Sequence, residues 1–97
     1  MYDKLFLDFE TYYDVQCSLR KLTIPEYINH PLFKVWGLGV RFEYEEDTTW
    51  LSELEVVDFI NEVDWANTAV ICHNTLFDAY ILTQYYKVYP AYYYDTA

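Results

Sequence analysis

The stretch KLFLDFETYY, residues 4–13, places two carboxylates, Asp8 and Glu10, at the end of an otherwise apolar run. On a β-strand, residues two apart project to one face about 7 Å from each other. At that spacing two acids can share or flank a divalent cation, which supplies the charge compensation that a covered strand end lacks. Taken alone, the pair has a plainer reading as a solvated strand end. A third acid bears on the choice. In CHNTLFDAYILTQYY, residues 72–86, helical spacing sets Asp78 on one stripe with Ile81, Leu82 and Tyr85. A stripe of that kind packs on a sheet, so Asp78 is expected to point inward, where the strand-end pair could meet it. Thr75 as N-cap with Asp78 at the third helical position is a weak variant of the capping box, and the helix dipole favours an acid in the first turn. Capping explains an acid at a helix start; it does not explain one on the apolar stripe.

The elements that must position these residues can be read from period and punctuation. Residues 4–10 form a first strand, with Phe6, Asp8 and Glu10 on one face and Leu5, Leu7 and Phe9 on the other. The apolar content of Leu5 to Phe9 suggests a strand covered on both faces. SLRKL suits a short helical turn, Pro25 the start of a helix around PEYINH, and His30-Pro31 its end. Residues 34–44 read as a second strand, 45–47 as a turn and 48–51 as a third strand. Ser52 and Glu55 have the form of a capping box opening a helix to about Val63, with Leu54, Val57, Ile60 and Val63 near helical spacing. A β-branched strand at 68–73 and a helix from Thr75 to about Tyr86 follow, then a tail that looks extended to Asp95. This order predicts an α/β fold whose mixed sheet has an antiparallel three-strand meander plus a parallel strand, with flanking helices. Residues 1–97 read as one domain, and a helix N-cap at Asp95-Thr96 makes it look C-terminally incomplete.

Composition narrows the class. The chain is 54% hydrophobic and 22% aromatic with two glycines, which excludes a disordered or low-complexity chain. No run approaches a membrane span and no leader pattern is present, so no membrane partner and a cytoplasmic location are expected. Cys17 and Cys72 fall in no zinc pattern and read as two reduced thiols, with a disulfide left open. A net charge of −10 argues against a binding surface built on basic residues, but not against a nucleic-acid enzyme with an acidic metal site. His73 reads as a strand-end histidine satisfied by local hydrogen bonds and His30, before a proline, as a loop residue, and of the tyrosines at 92–94 only Tyr92 and Tyr94 can share a surface. There is no phosphate-binding glycine loop and no nucleophile elbow.

FLDFET, then ICHNTLFDAYIL, then YYYDTA resembles the first two exonuclease motifs of the DEDD superfamily of 3′ to 5′ exonucleases, most of all the proofreading domain of bacteriophage family A DNA polymerases. The intervening SLRKLTIPEYINHPLFKVWGLGV is similar to the segment those enzymes carry between the motifs. The resemblance implies a ribonuclease-H-like fold and a two-metal mechanism using Mg²⁺ or Mn²⁺. It implies that Asp8 bridges both metals, that Glu10 binds the metal holding the attacking water, and that Asp78 serves the other. Thr11 matches a position that meets the terminal nucleotide, and Asn74 and Phe77 match positions that line the substrate strand. The implied partners are the 3′ end of single-stranded DNA, the rest of the exonuclease domain and a polymerase domain.

The third motif of that family, an aspartate preceded by a water-positioning tyrosine or histidine, has no counterpart here, and Asp95 is not its substitute. Little or no nuclease activity is therefore expected of this chain alone. The alternative is a non-catalytic ribonuclease-H-like module that binds nucleic acid or protein, its acids serving as structural caps.

Overall fold

The computed structural model describes residues 2–14 and 17–96. Its elements run β1 (Asp3–Thr11), α1 (Ile24–Ile28), β2 (Val35–Phe42), β3 (Thr49–Ser52), α2 (Glu53–Glu62), β4 (Thr68–Cys72), α3 (Thr75–Tyr80) and β5 (Tyr92–Asp95). A 3₁₀ turn, Trp65–Asn67, precedes β4, and a π-turn, Ile81–Tyr85, continues α3. The strands form one mixed sheet in the order β3-β2-β1-β4-β5. The β1–β2 and β2–β3 pairs are antiparallel, whereas β4 runs parallel to both β1 and β5. The expected meander and parallel strand are present, and the extended tail adds a fifth strand. Among the described residues no helix is long and apolar enough to cross a membrane.

The core is one-sided. Leu5, Leu7 and Phe9 of β1 pack with Leu38 and Val40 of β2 and Val70 of β4 into one buried cluster. Tyr27 and Ile28 of α1, Val56 and Ile60 of α2, and Ile81 and Leu82 of the π-turn join the same cluster. The opposite face presents Phe6, Asp8, Glu10, Trp50, Ile71, Tyr92 and Tyr94, all exposed or only half-buried. This corrects the expectation of a strand covered on both faces. Asp8 and Glu10 are exposed, and apolar content misled because Phe6 lies on the open face under the Arg41 guanidinium, 4.4 Å from its ring centre. Cys17 and Cys72 are both buried free thiols.

Helix α1 begins at Ile24, where Thr23 and Glu26 exchange capping hydrogen bonds of 3.3 and 2.9 Å. In α2 the Ser52 N–H donates to Glu55 Oε1 at 3.0 Å, as the capping pattern required. Its buried stripe is not the one expected, because Leu54 is 82% and Val57 48% exposed while Val56 and Ile60 are buried. A strict three-residue spacing drifts by about 60° per step, so Leu54 and Val63 fall on opposite sides of a helix. Val56, Phe59, Ile60 and Val63 follow the three-four alternation that holds one face.

The predicted helix over 75–86 is α-helical only to Tyr80. Its N-cap is Asn74 rather than Thr75. From Ile81 the bonding becomes i→i+5, with the Tyr86 N–H donating to the Ile81 carbonyl at 3.1 Å. Eight residues of pure α-helix would carry Tyr86 about 80° past Asp78. Each residue of a π-turn advances through a smaller angle, which cancels the excess. Tyr86 therefore returns to the sheet and stacks on Phe9 with ring centres 5.9 Å apart. Tyr85, expected on the inward stripe, is displaced and 47% exposed.

Opposite the two acids of β1 stand two glycines, Gly39 facing Asp8 and Gly37 facing Glu10. A Cβ on Gly37 would meet the Trp50 ring at 2.2 Å and the Leu51 carbonyl oxygen at 2.6 Å, whereas at Gly39 the nearest atom lies at 3.6 Å. Gly37→Ala is expected to cost about 1–3 kcal/mol by overpacking, and Gly39→Ala to change stability far less. Urea melts of the two variants check the contrast, and equal losses would contradict it.

Candidate functional site

The carboxyl ends of β1 and β4, which run parallel, open into one groove of about 1030 Å³. The six residues singled out from sequence, Asp8, Glu10, Thr11, Asn74, Phe77 and Asp78, all line it. Open α/β sheets bind ligands at such strand ends because helices begin and loops diverge there.

Each residue arrives by a local cause. Asp8 and Glu10 follow from the alternation of β1, and a bulge just beyond them sets Glu10 opposite Gly37 and Thr11 opposite Val35, leaving Trp36 as the extra residue. Asn74 caps α3, and its carbonyl accepts the Asp78 N–H at 3.1 Å. Asp78, one turn into the helix, is 2% exposed. The β1–β4 register ends at Phe6 and Ile71, so the Phe9 N–H emerges beyond that ladder. It donates to Asp78 Oδ1 at 3.4 Å. The inward acid thus meets β1 at its backbone.

Tyr27 has no signal in the sequence that marks it for the site. Its hydroxyl donates to the Tyr12 carbonyl, so the Thr11 hydroxyl, 2.8 Å away, must be the donor in the second bond. Its ring lies 6.0 Å from that of Phe77 in a stacked arrangement. Tyr27 therefore ties the end of β1 to α1 and backs the aromatic wall of the groove. His73, exposed, lines the groove as well.

The electrostatics are those of crowded acids. Burial pushes the Asp78 carboxyl up to about 7; the Phe9 N–H opposes this, and the charges of Asp8 and Glu10 add to it. Cys72 beneath the site is pushed up to about 12, by burial first and then by Asp78, Asp95 and Asp8. Its thiol stays protonated and unreactive at neutral pH. Three carboxylates are oxygen donors of the kind that suit Mg²⁺ or Mn²⁺. Among the described residues, however, no three His, Cys, Asp or Glu side chains are grouped so that they could hold one metal ion. The acids share a groove without forming a closed coordination sphere.

The fold is α/β, with a five-stranded mixed sheet and helices packed on one face. No protein-family model, curated protein or solved structure matches the chain.

In the folded chain Asp78 keeps its proton up to about pH 7, against an ordinary value of 3.8. The native state therefore binds more protons than the unfolded state between these limits, and stability falls as pH rises through them. Thermal melts in EDTA should show Tm declining from pH 5 to 8. Asp78→Asn should flatten that decline and be the more stable form at pH 8, by at most about 4 kcal/mol, and so melt at a higher temperature there. A slope unaltered by the substitution would contradict the assignment.

Proposed function

We propose that this chain is the part of a metal-dependent 3′ to 5′ exonuclease domain that bears its first two acidic motifs, on a ribonuclease-H-like sheet. Its role is proofreading within a DNA polymerase of the bacteriophage family A kind. One observation carries this reading: Asp8, Glu10 and Asp78, drawn from two distant segments, line one groove, with Asp78 buried against negative charge. Structural caps do not need that convergence. A divalent cation would relieve it.

In this reading Asp8, Glu10 and Asp78 hold the metals. Two Mg²⁺ or Mn²⁺ ions held there would supply the Lewis-acid chemistry that activates a water and stabilises the departing 3′ oxygen of the terminal phosphodiester. The protein's own part is orientation. Thr11, fixed by Tyr27, meets the terminal nucleotide, and Asn74 and Phe77 line the path of the single strand. One observation favours a second reading, a non-catalytic ribonuclease-H-like module: the three acids are not grouped tightly enough to hold one ion.

A Mn²⁺ titration by calorimetry, with Asp8→Ala and Asp78→Ala alongside, separates the two. The exonuclease reading expects saturable binding that each substitution weakens tenfold or more, together with near-background hydrolysis of 3′-labelled DNA by the chain alone. Heat that is absent, or indifferent to both substitutions, supports the module instead.

A further inference from the structure

The chain has six Lys and Arg residues against sixteen Asp and Glu. Four of the six do not line the groove. Lys4 pairs with Glu43 at 3.8 Å and Lys34 with Glu53 at 3.2 Å. Arg41 covers the Phe6 ring and donates to the Glu45 carbonyl at 3.0 Å, and Lys87 sits in a left-handed turn at φ 61°. The remaining two, Arg20 and Lys21, are adjacent and exposed, and both line the groove. Neither belongs to an ion pair among the described residues. Tyr13, 77% exposed, lines the same groove.

Hydrogen bonds anchor the described residues beside these three side chains. Cys17 is buried in the core, and its N–H donates to Asp14 Oδ1 at 2.6 Å while its carbonyl accepts the Asp14 N–H at 3.0 Å. The Lys21 and Leu22 N–H groups both donate to the Ser18 carbonyl, at 3.2 and 2.9 Å. A cationic pair and an exposed ring are thus held beside an acidic strand end. A chain of net charge −10 repels a polyanion at long range, so a strand entering this groove needs local cations for its phosphates. Exposed aromatic rings offer bases a stacking surface whatever the sequence.

We infer that Tyr13, Arg20 and Lys21 form the wall of the groove that grips single-stranded DNA, the two cations taking backbone phosphates and the ring one base. This rests on the exonuclease reading and assigns its substrate grip to the segment between β1 and α1, outside both acidic motifs.

The test is fluorescence anisotropy of a fluorescein-labelled oligothymidylate with the full chain in Mn²⁺, titrated across 20–200 mM salt. Arg20→Ala/Lys21→Ala should weaken binding at least fivefold at the lowest salt and reduce the slope of log K against log salt by about 1.4. Tyr13→Ala should weaken binding roughly fivefold or more at an unaltered slope. Thermal melts matching the parent chain exclude misfolding. The inference is overturned if the parent chain does not bind the oligonucleotide, if the variants bind as it does, or if the double variant loses affinity without losing slope. The exonuclease reading is judged separately by Asp8-dependent Mn²⁺ binding, which none of these substitutions touches.

Discussion

A carboxylate removed from water needs donors or a cation, and among the described residues Asp78 has one long hydrogen bond, from the Phe9 backbone. That contact joins the first turn of α3 to the end of β1, and the rest of the site is arranged around it. It fixes which side of the helix meets the sheet, and hence brings Phe77 against Tyr27 and Asn74 to the mouth of β4. The surrounding charge opposes the ionised form, because Asp8 and Glu10 reinforce the effect of burial. The arrangement is costly if it is only scaffolding and reasonable if a ligand supplies positive charge.

Exposure divides the three acids into two kinds. Asp8 and Glu10 lie on the open face of β1 opposite two glycines, so no side chain of the neighbouring strand covers them directly. Asp78 approaches from the packed face, where the helices lie. The groove wraps the end of β1 and is reached from both faces, which is why acids on opposite sides of the sheet can line one space.

Much of this was legible in the sequence because it depends on short-range period. The Asp8–Glu10 alternation, the inward stripe of Asp78, Ile81 and Leu82, and the Ser52–Glu55 cap are local patterns, and local geometry realises them. What the sequence concealed depends on partners. Phe6 reads as core although it sits under Arg41 on an open face. Leu54 and Val57 compete with Val56 and Ile60 for the buried side of α2, and only the phase drift of a three-residue repeat decides between them. Tyr27 gains its place through a hydrogen bond to a residue sixteen positions away, and no spacing rule announces that.

The π-turn has a consequence for what changes in length the chain tolerates. Phe9 is gripped twice by one helical segment, through its N–H by Asp78 and through its ring by Tyr86. Both grips are met only because Ile81–Tyr85 is wound more slowly than the turns before it. A π-turn is equivalent to one residue inserted into an α-helix, so loss of a single codon there would leave a regular helix with its hydrogen bonds intact. Tyr86, then seven residues after Asp78, would lie within about 20° of it and keep its place against Phe9. At this point in the chain a one-residue deletion would be absorbed by the winding of the helix, whereas the same loss within β1 would turn every later side chain of that strand to the other face.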